Sequence, residues 1–230
     1  MLMPKSLLLL GSLLVSSQLA VAKPCGLKSE AGSNCDVAIS ELKPTQLTFG
    51  AIEVQRRSEK FADMSEKKLQ KYLSKNLVPV VIGPKGDVYI TDHHHLALAI
   101  AALKGDDFEL SAEVVQNWAS YSSDRFWSAM SAADYTWLYN EEGEGPLSYK
   151  TLPNSLFVLK DDPYRALAWG VRKAGAYDET SVPHADFMWA NFFRSRMEKA
   201  EIQEDFDQAV TSAVALAHSK EAKHLPGYQN

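Results

Sequence analysis

Asp92, His93, His94 and His95 form one run, a carboxylate followed by three imidazoles. Three adjacent histidines are hard to account for as packing, and imidazole is the side chain that gains and loses protons near neutral pH. An alanine- and leucine-rich stretch follows at once. Read as a helix, it places the run where N–H groups lack intrahelical partners and the positive end of the macrodipole attracts anions. The expected chemistry is capture of a phosphate or other anion, with His94 as first and His95 as second proton-transfer candidate and Asp92 beside them. The dipole disfavours a charged imidazole, and an arriving phosphate reverses that preference, so acid–base work near neutral pH is open to these rings. His93 contacts the ligand or faces solvent. The plainer alternative has Asp92 capping the helix while one His bonds a neighbouring carbonyl.

The same spacing argues against a closed zinc site. Successive helical side chains project about 100° apart, so the three rings cannot converge on one ion, and the i, i+4 histidine pair is missing. A divalent metal would need one or two of these rings together with a remote carboxylate such as Asp161 or Asp162.

The elements that must position the run lie on either side. Ser65 caps a helix to about Lys75, with Leu69, Tyr72 and Leu73 inward. Val78–Ile82 is a β-branched strand, Gly83-Pro84-Lys85-Gly86 a turn, and Asp87–Ile90 the return strand. Asp92 is the expected N-cap of a helix over His93–Leu103, with Leu96, Ala99, Ile100 and Leu103 buried and Gly105 as the stop. Phe108–Val115 reads as another strand. Farther on, Asp124–Ala132 predicts a short helix, Trp137–Tyr139 a strand and Asn140–Gly145 an acidic turn. Asp162 and Pro163 make an N-cap and N1 pair opening a helix to about Ala174. Pro183 opens another reaching Met197, and Gln203–His218 is the last. Besides capping, Asp161-Asp162-Pro163-Tyr164-Arg165 offers Arg165 to a phosphate or an Asp to a metal. His93, Arg165 and Asp162 are accordingly the candidate ligand-binding residues.

Composition bounds the rest. At 230 residues and 46% hydrophobic content, the chain can bury a full core. Residues 1–22 have the form of a secretory signal, with Lys5 ahead of an apolar stretch and Ala20-Val21-Ala22 as the cleavage site. No other segment is apolar for long enough to span a bilayer, so the expectation is a secreted or periplasmic protein without a membrane span after cleavage. In an oxidising compartment, Cys25 and Cys35 are expected to close a small disulfide loop. The net charge of −5 excludes a protein that coats nucleic acid in bulk. One basic segment stands apart. Lys67, Lys71 and Lys75 share a helical face with Lys68 beside them and Arg56, Arg57 and Lys60 upstream; it is either a solvated face or a local phosphate-backbone contact. The five tryptophans fall on apolar stripes and read as core rather than as a base-stacking platform. His184, His218 and His224 are isolated, and His184 is assigned only to a first helical turn after Pro183.

The chain divides into a lead-in over 23–40 that carries the two cysteines, alternating strands and helices over 41–118, a mostly helical part over 119–220 and a tail over 221–230.

Several motifs in order resemble the ParB-like nuclease family of the ParB/sulfiredoxin superfamily. They are Leu42-Lys43-Pro44-Thr45-Gln46, Val78-Pro79-Val80-Val81 and Tyr89-Ile90-Thr91-Asp92-His93-His94-His95-Leu96-Ala97. Phe126-Trp127, Met130, Leu152-Pro153, Asp161-Asp162-Pro163-Tyr164-Arg165 with Leu167-Ala168, Trp189-Ala190 and Phe193-Arg194-Ser195-Arg196 continue them over about residues 40–200. The resemblance implies an α+β fold, a ParB/sulfiredoxin-like α/β core with a C-terminal helical extension packed on it, and a polar motif that cradles phosphates at a helix start. Asp92, His94 and His95 match an Asp-Gly-His-His-Arg pattern of kinase-like relatives. His93 replaces its Gly and Leu96 its Arg, so the usual charge clamp on a nucleotide is missing unless Arg165 supplies it. Sulfiredoxin chemistry needs a cysteine in this motif, and there is none. An exported protein also lacks a nucleotide pool, whereas hydrolysis needs only water. The expectation is thus an exported nuclease or phosphoesterase whose partner is an anionic or phosphate-containing ligand, nucleic acid among them. A noncatalytic module holding such a ligand is the alternative, and a kinase a distant third.

Overall fold

A computed structural model describes residues 23–229; the secretory segment expected at 1–22 lies outside them. Five strands form one curled, mixed sheet in the order β1-β6-β4-β5-β2. These are β1 (Asn34–Ala38), β2 (Leu42–Lys43), β4 (Val78–Ile82), β5 (Val88–Ile90) and β6 (Glu109–Asn117). β4 pairs antiparallel with β5 and parallel with β6, and its Val80, Val81 and Ile82 are fully buried, as a central β-branched strand covered on both faces should be. The edge strand β1 arises in the segment expected to be a polar lead-in; its Cys35 is buried and disulfide-bonded to Cys25.

Helix α1 (Ala51–Ala62) and helix α3 (His94–Lys104) lie against each other over this sheet. Every residue of α3 from His94 to Ala101 is buried, which explains its weak sidedness: a helix enclosed all round needs no polar face. It ends at Gly105, whose φ of 96° carries the chain out of the helix, as the sequence predicts. Helix α2 (Glu66–Leu73) is capped by Ser65, and Lys67, Lys68, Lys71 and Lys75 on or just past it are all exposed.

A second apolar cluster is helical. It is built by α5 (Pro163–Lys173), α6 (Ala185–Arg194), α7 (Lys199–Glu204) and α8 (Phe206–Ala217), with Trp189 and Phe193 fully buried in it. Between the clusters, the short parallel pair β3 (Thr48–Phe49) and β7 (Lys160–Asp161) sets the starts of α1 and α5 side by side. The approach is close: a Cβ on Gly50, the N-cap of α1, would stand 2.8 Å from main-chain atoms of Ala166. Helix α4 (Ser123–Ala132) packs Phe126 and Met130 onto Val81 on the other face of the sheet.

Several boundaries differ from expectation. Helix α1 has no clear sequence signal, because its stripe carries a buried Glu53 among few apolar positions. Helix α6 begins at Ala185 with His184 as N-cap rather than at Pro183. The expected last helix is two, because Asp205 leaves helical geometry and caps α8 through Gln208 N–H. Trp137 makes an isolated bridge to Gln46 rather than a strand. Among the described residues no helix is long and apolar enough to cross a membrane.

Candidate functional site

The turn from β5 into α3 does not use Asp92 as expected. His93 is the N-cap, in the left-handed region at φ 65° and ψ 20°, and makes no side-chain cap. His, Asn and Asp are the side chains that accept this conformation best after glycine. Asp92 is exposed, and its Oδ1 accepts the adjacent N–H of His93 at 2.6 Å. The carboxylate therefore braces the reversal instead of bonding the first helical turn. The first intrahelical bond runs from Ala97 N–H to His93 O. Among the described residues, the N–H groups of His94, His95 and Leu96 meet no acceptor.

His94 and His95 are both buried, at 2% and 7% exposure. Nε2 of His94 accepts Thr45 N–H at 3.3 Å, and Nε2 of His95 accepts Gly50 N–H at 2.9 Å. A ring nitrogen that accepts an N–H carries no proton, so both imidazoles are the Nδ1–H tautomer. Burial pulls His94 down to about 3, opposed by Asp92 and assisted by the other histidines near it. His95 is also pulled well below its usual range, first by burial and then by Arg165 and Arg57. Both rings are neutral at neutral pH. Glu53 Oε2 lies 3.6 Å from His95 Nε2, but with no proton on that nitrogen the approach is not an ion pair. These rings fasten the loop before α1 to the start of α3, and their Nε2 atoms are not free to shuttle protons.

Arg165 does reach this region, as a replacement for the missing arginine must. Its Nη1 lies 2.9 Å from Oε2 of the buried Glu53 and its Nη2 3.2 Å from Oδ2 of Asp186, with the guanidinium 5.2 Å from the ring centre of Phe187. Arg57 takes the other Glu53 oxygen at 2.7 Å, and Arg172 grips Asp186 with two bonds of 2.9 Å each. Burial disfavours the Arg165 charge, but Glu53 and Asp186 outweigh it and hold the group protonated. Burial likewise pushes Asp186 up, while Arg165 and Arg172 win and bring it to about 2. Nε of Arg165 is buried without a hydrogen-bond partner among the described residues.

A cavity of about 700 Å³ opens onto these groups. Asp92, His93, His94, His95 and Arg165 all line it; Asp162 does not. Asp162 caps α5 through Tyr164 N–H, and its other oxygen binds Arg194 at 2.6 Å. Asp161 accepts Ala51 N–H, and burial raises its carboxyl above the usual range. The His-plus-Asp161 or Asp162 metal arrangement is thus not assembled, and among the described residues no three His, Cys, Asp or Glu side chains are grouped to hold an ion. None of the five tryptophans lines the cavity, and Trp189 stacks on Tyr177 at 4.1 Å in the helical cluster.

The cavity lining also includes a residue to which the sequence assigns no chemistry. His184 is the N-cap of α6, again left-handed at φ 59° and ψ 20°, and it lines the same cavity. Asp134, also left-handed at φ 54°, lies beside it, so three of the four non-glycine residues with positive φ among the described residues surround this space. Each such residue costs on the order of 1–3 kcal/mol, and such strain gathers at sites that bind or react. The only signal the sequence offers for His184 is its position beside a helix start after Pro183.

The fold is α+β, with a cavity at the start of α3. Residues 35–195 match the family described as "Putative ParB-like nuclease". The chain belongs to that family. It is also similar to protein Atu1540 from Agrobacterium tumefaciens, known from a crystal structure, with 32% identity and a TM-score of 0.77 over 86% of this chain and 98% of that one. No curated protein matches the chain.

Proposed function

We propose that the protein is an exported nuclease or phosphoesterase that hydrolyses a phosphate ester in this cavity. The observation that carries the reading is the first turn of α3, whose three N–H groups meet no acceptor among the described residues and adjoin a cavity of about 700 Å³. Such a terminus accepts a phosphate oxygen without further charge. Arg165, held protonated between Glu53 and Asp186, lines the same cavity, and the neutral rings of His94 and His95 keep Nδ1–H groups as donors. In this reading Asp92 and His93 flank the bound ester, and residues 41–118 form the ParB/sulfiredoxin-like core on which the helical extension packs. The Cys25–Cys35 disulfide supports export to the periplasm or beyond.

The test is hydrolysis of bis(p-nitrophenyl) phosphate, single- and double-stranded DNA and RNA by the purified mature protein, with and without Mg2+ or Mn2+. Turnover of any of these, weakened by Arg165→Met in a folded variant, supports the reading. A second reading, a noncatalytic module for a phosphorylated ligand, is favoured by the engagement of both Nε2 atoms with the main chain. Thermal stabilisation by inorganic phosphate without turnover of any substrate selects it.

A further inference from the structure

We propose that His184 is the general base of this site, taking a proton from the water that attacks the phosphate. The inference rests on the hydrolytic reading above and names a proton acceptor for it. With the Nε2 atoms of His94 and His95 occupied by main-chain N–H groups, neither ring can accept a proton through that atom. His184 is held in the opposite sense. Its Nε2 lies 2.9 Å from the carbonyl oxygen of Asp134, and a carbonyl only accepts, so Nε2 carries the proton and Nδ1 carries the lone pair. Nδ1 has no hydrogen-bond partner among the described residues, on a side chain that lines the same cavity as the start of α3. A backbone carbonyl that fixes the tautomer of an imidazole and leaves its other nitrogen free is the arrangement a base requires.

The surroundings keep the ring in place and neutral. Trp137 lies 5.2 Å away centre to centre and in turn stacks on Phe187 at 5.0 Å, so the imidazole has an aromatic backing. Burial lowers the proton affinity of His184, and the Asp134 carbonyl, the Asp134 carboxylate and Asp92 pull the other way. His94, whose charged form His184 would disfavour, is itself neutral. The left-handed backbone at His184 is retained at the cavity wall despite its cost, as at His93.

In the step, the water oxygen bonds to phosphorus while one O–H proton passes to Nδ1 of His184. The ester P–O bond breaks with its electron pair leaving on oxygen, which takes a proton from solvent at the cavity mouth. The His184 proton then returns to solvent, and the net change is ester plus water giving alcohol and acid phosphate.

The test uses the full mature protein and bis(p-nitrophenyl) phosphate, with two variants that tolerate a left-handed backbone, His184→Asn and His184→Gly. The expected result is kcat lower by about 10²- to 10⁴-fold with KM little changed, and partial recovery of the glycine variant by added imidazole. The wild-type rate should fall as pH drops through a value below the ordinary 6.5 of histidine, and that acid limb should vanish in both variants. Wild-type turnover with folded variants that keep the full rate and the acid limb overturns the His184 role and leaves the hydrolytic reading intact. A wild-type protein that turns over none of the phosphodiesters overturns both.

Discussion

Two helices begin at this cavity, and each begins with a histidine in a left-handed conformation: His93 before α3 and His184 before α6. Beyond that shared backbone, the imidazoles at the two starts are held in opposite ways. At α3 the next two rings are buried and their Nε2 atoms accept main-chain N–H groups, so they behave as structural acceptors. At α6 the capping ring is half-buried, donates through Nε2 to a carbonyl and keeps Nδ1 free. The same residue type does opposite work because the direction of one hydrogen bond fixes which nitrogen holds the proton. The two sides are joined through Glu53, Arg165 and Asp186, one buried chain of charges running from α1 across α5 to the first turn of α6.

The largest effect should come from cutting that chain. Glu53→Ala strips Arg165 and Arg57 of their shared carboxylate and leaves a buried charge half-compensated, at an expected cost of about 3–5 kcal/mol. Urea unfolding measures it. Arg165→Met in the same background should recover part of the loss, since an apolar side chain of similar length removes the stranded charge; no recovery would show that the two sides are not coupled through this pair.

Next come the rings themselves. His95→Ala leaves Gly50 N–H buried without an acceptor, and a loss of roughly 2–3 kcal/mol is expected. His184→Asn, which keeps a left-handed-tolerant residue and an amide donor for Asp134 O, should cost under about 1 kcal/mol while lowering kcat by about 10²- to 10⁴-fold. Equal stability losses at the two positions would break the comparison.

Much of this frame was legible in the sequence. The β4–turn–β5–α3 order, the Gly105 stop, the Asp162-Pro163 start of α5 and the Cys25–Cys35 pairing all rest on local signals: β-branched runs, turn residues, caps and cysteine spacing. The actual role of Asp92 was not, because a left-handed His93 shifts the helix start by one residue, and nothing in the run distinguishes that from an ordinary Asp cap. Nor was the burial of His94 and His95, which depends on the loop before α1 folding over them through Thr45 and Gly50, more than forty residues earlier. Arg165 was suggested by its motif and His184 by nothing but position; both meet the cavity only through tertiary packing.

Acid titration sharpens the contrast further. His94 has a folded-state value of about 3 against an ordinary 6.5, and His95 is depressed as well. A cationic group whose folded value is depressed stays neutral in the native state while the unfolded chain takes up its proton. Stability is then fully present above the unfolded value of about 6.5 and falls as pH drops below it, by up to about 1.4 kcal/mol per pH unit for each ring, for His94 as far as about 3. Urea midpoints between pH 7 and 4 should show this slope, and it should flatten in the double variant His94→Gln, His95→Gln.

The smallest expected effect lies away from both helix starts. Lys67, Lys71 and Lys75 are exposed on or just beyond α2, and none of them lines the cavity. Arg57, upstream in the same basic segment, is turned inward onto Glu53. Exposed lysines of this kind contribute little to folding, so replacing all three with Gln should change stability by under about 0.5 kcal/mol. If the ester is bound only in the cavity, turnover of bis(p-nitrophenyl) phosphate should also stay the same. A longer substrate separates the alternatives. Should DNA or RNA turnover fall in this variant while the small diester is unaffected, and should the fall grow at low salt, the lysine face is a contact for the rest of a polymer and the cavity holds only its reacting phosphate.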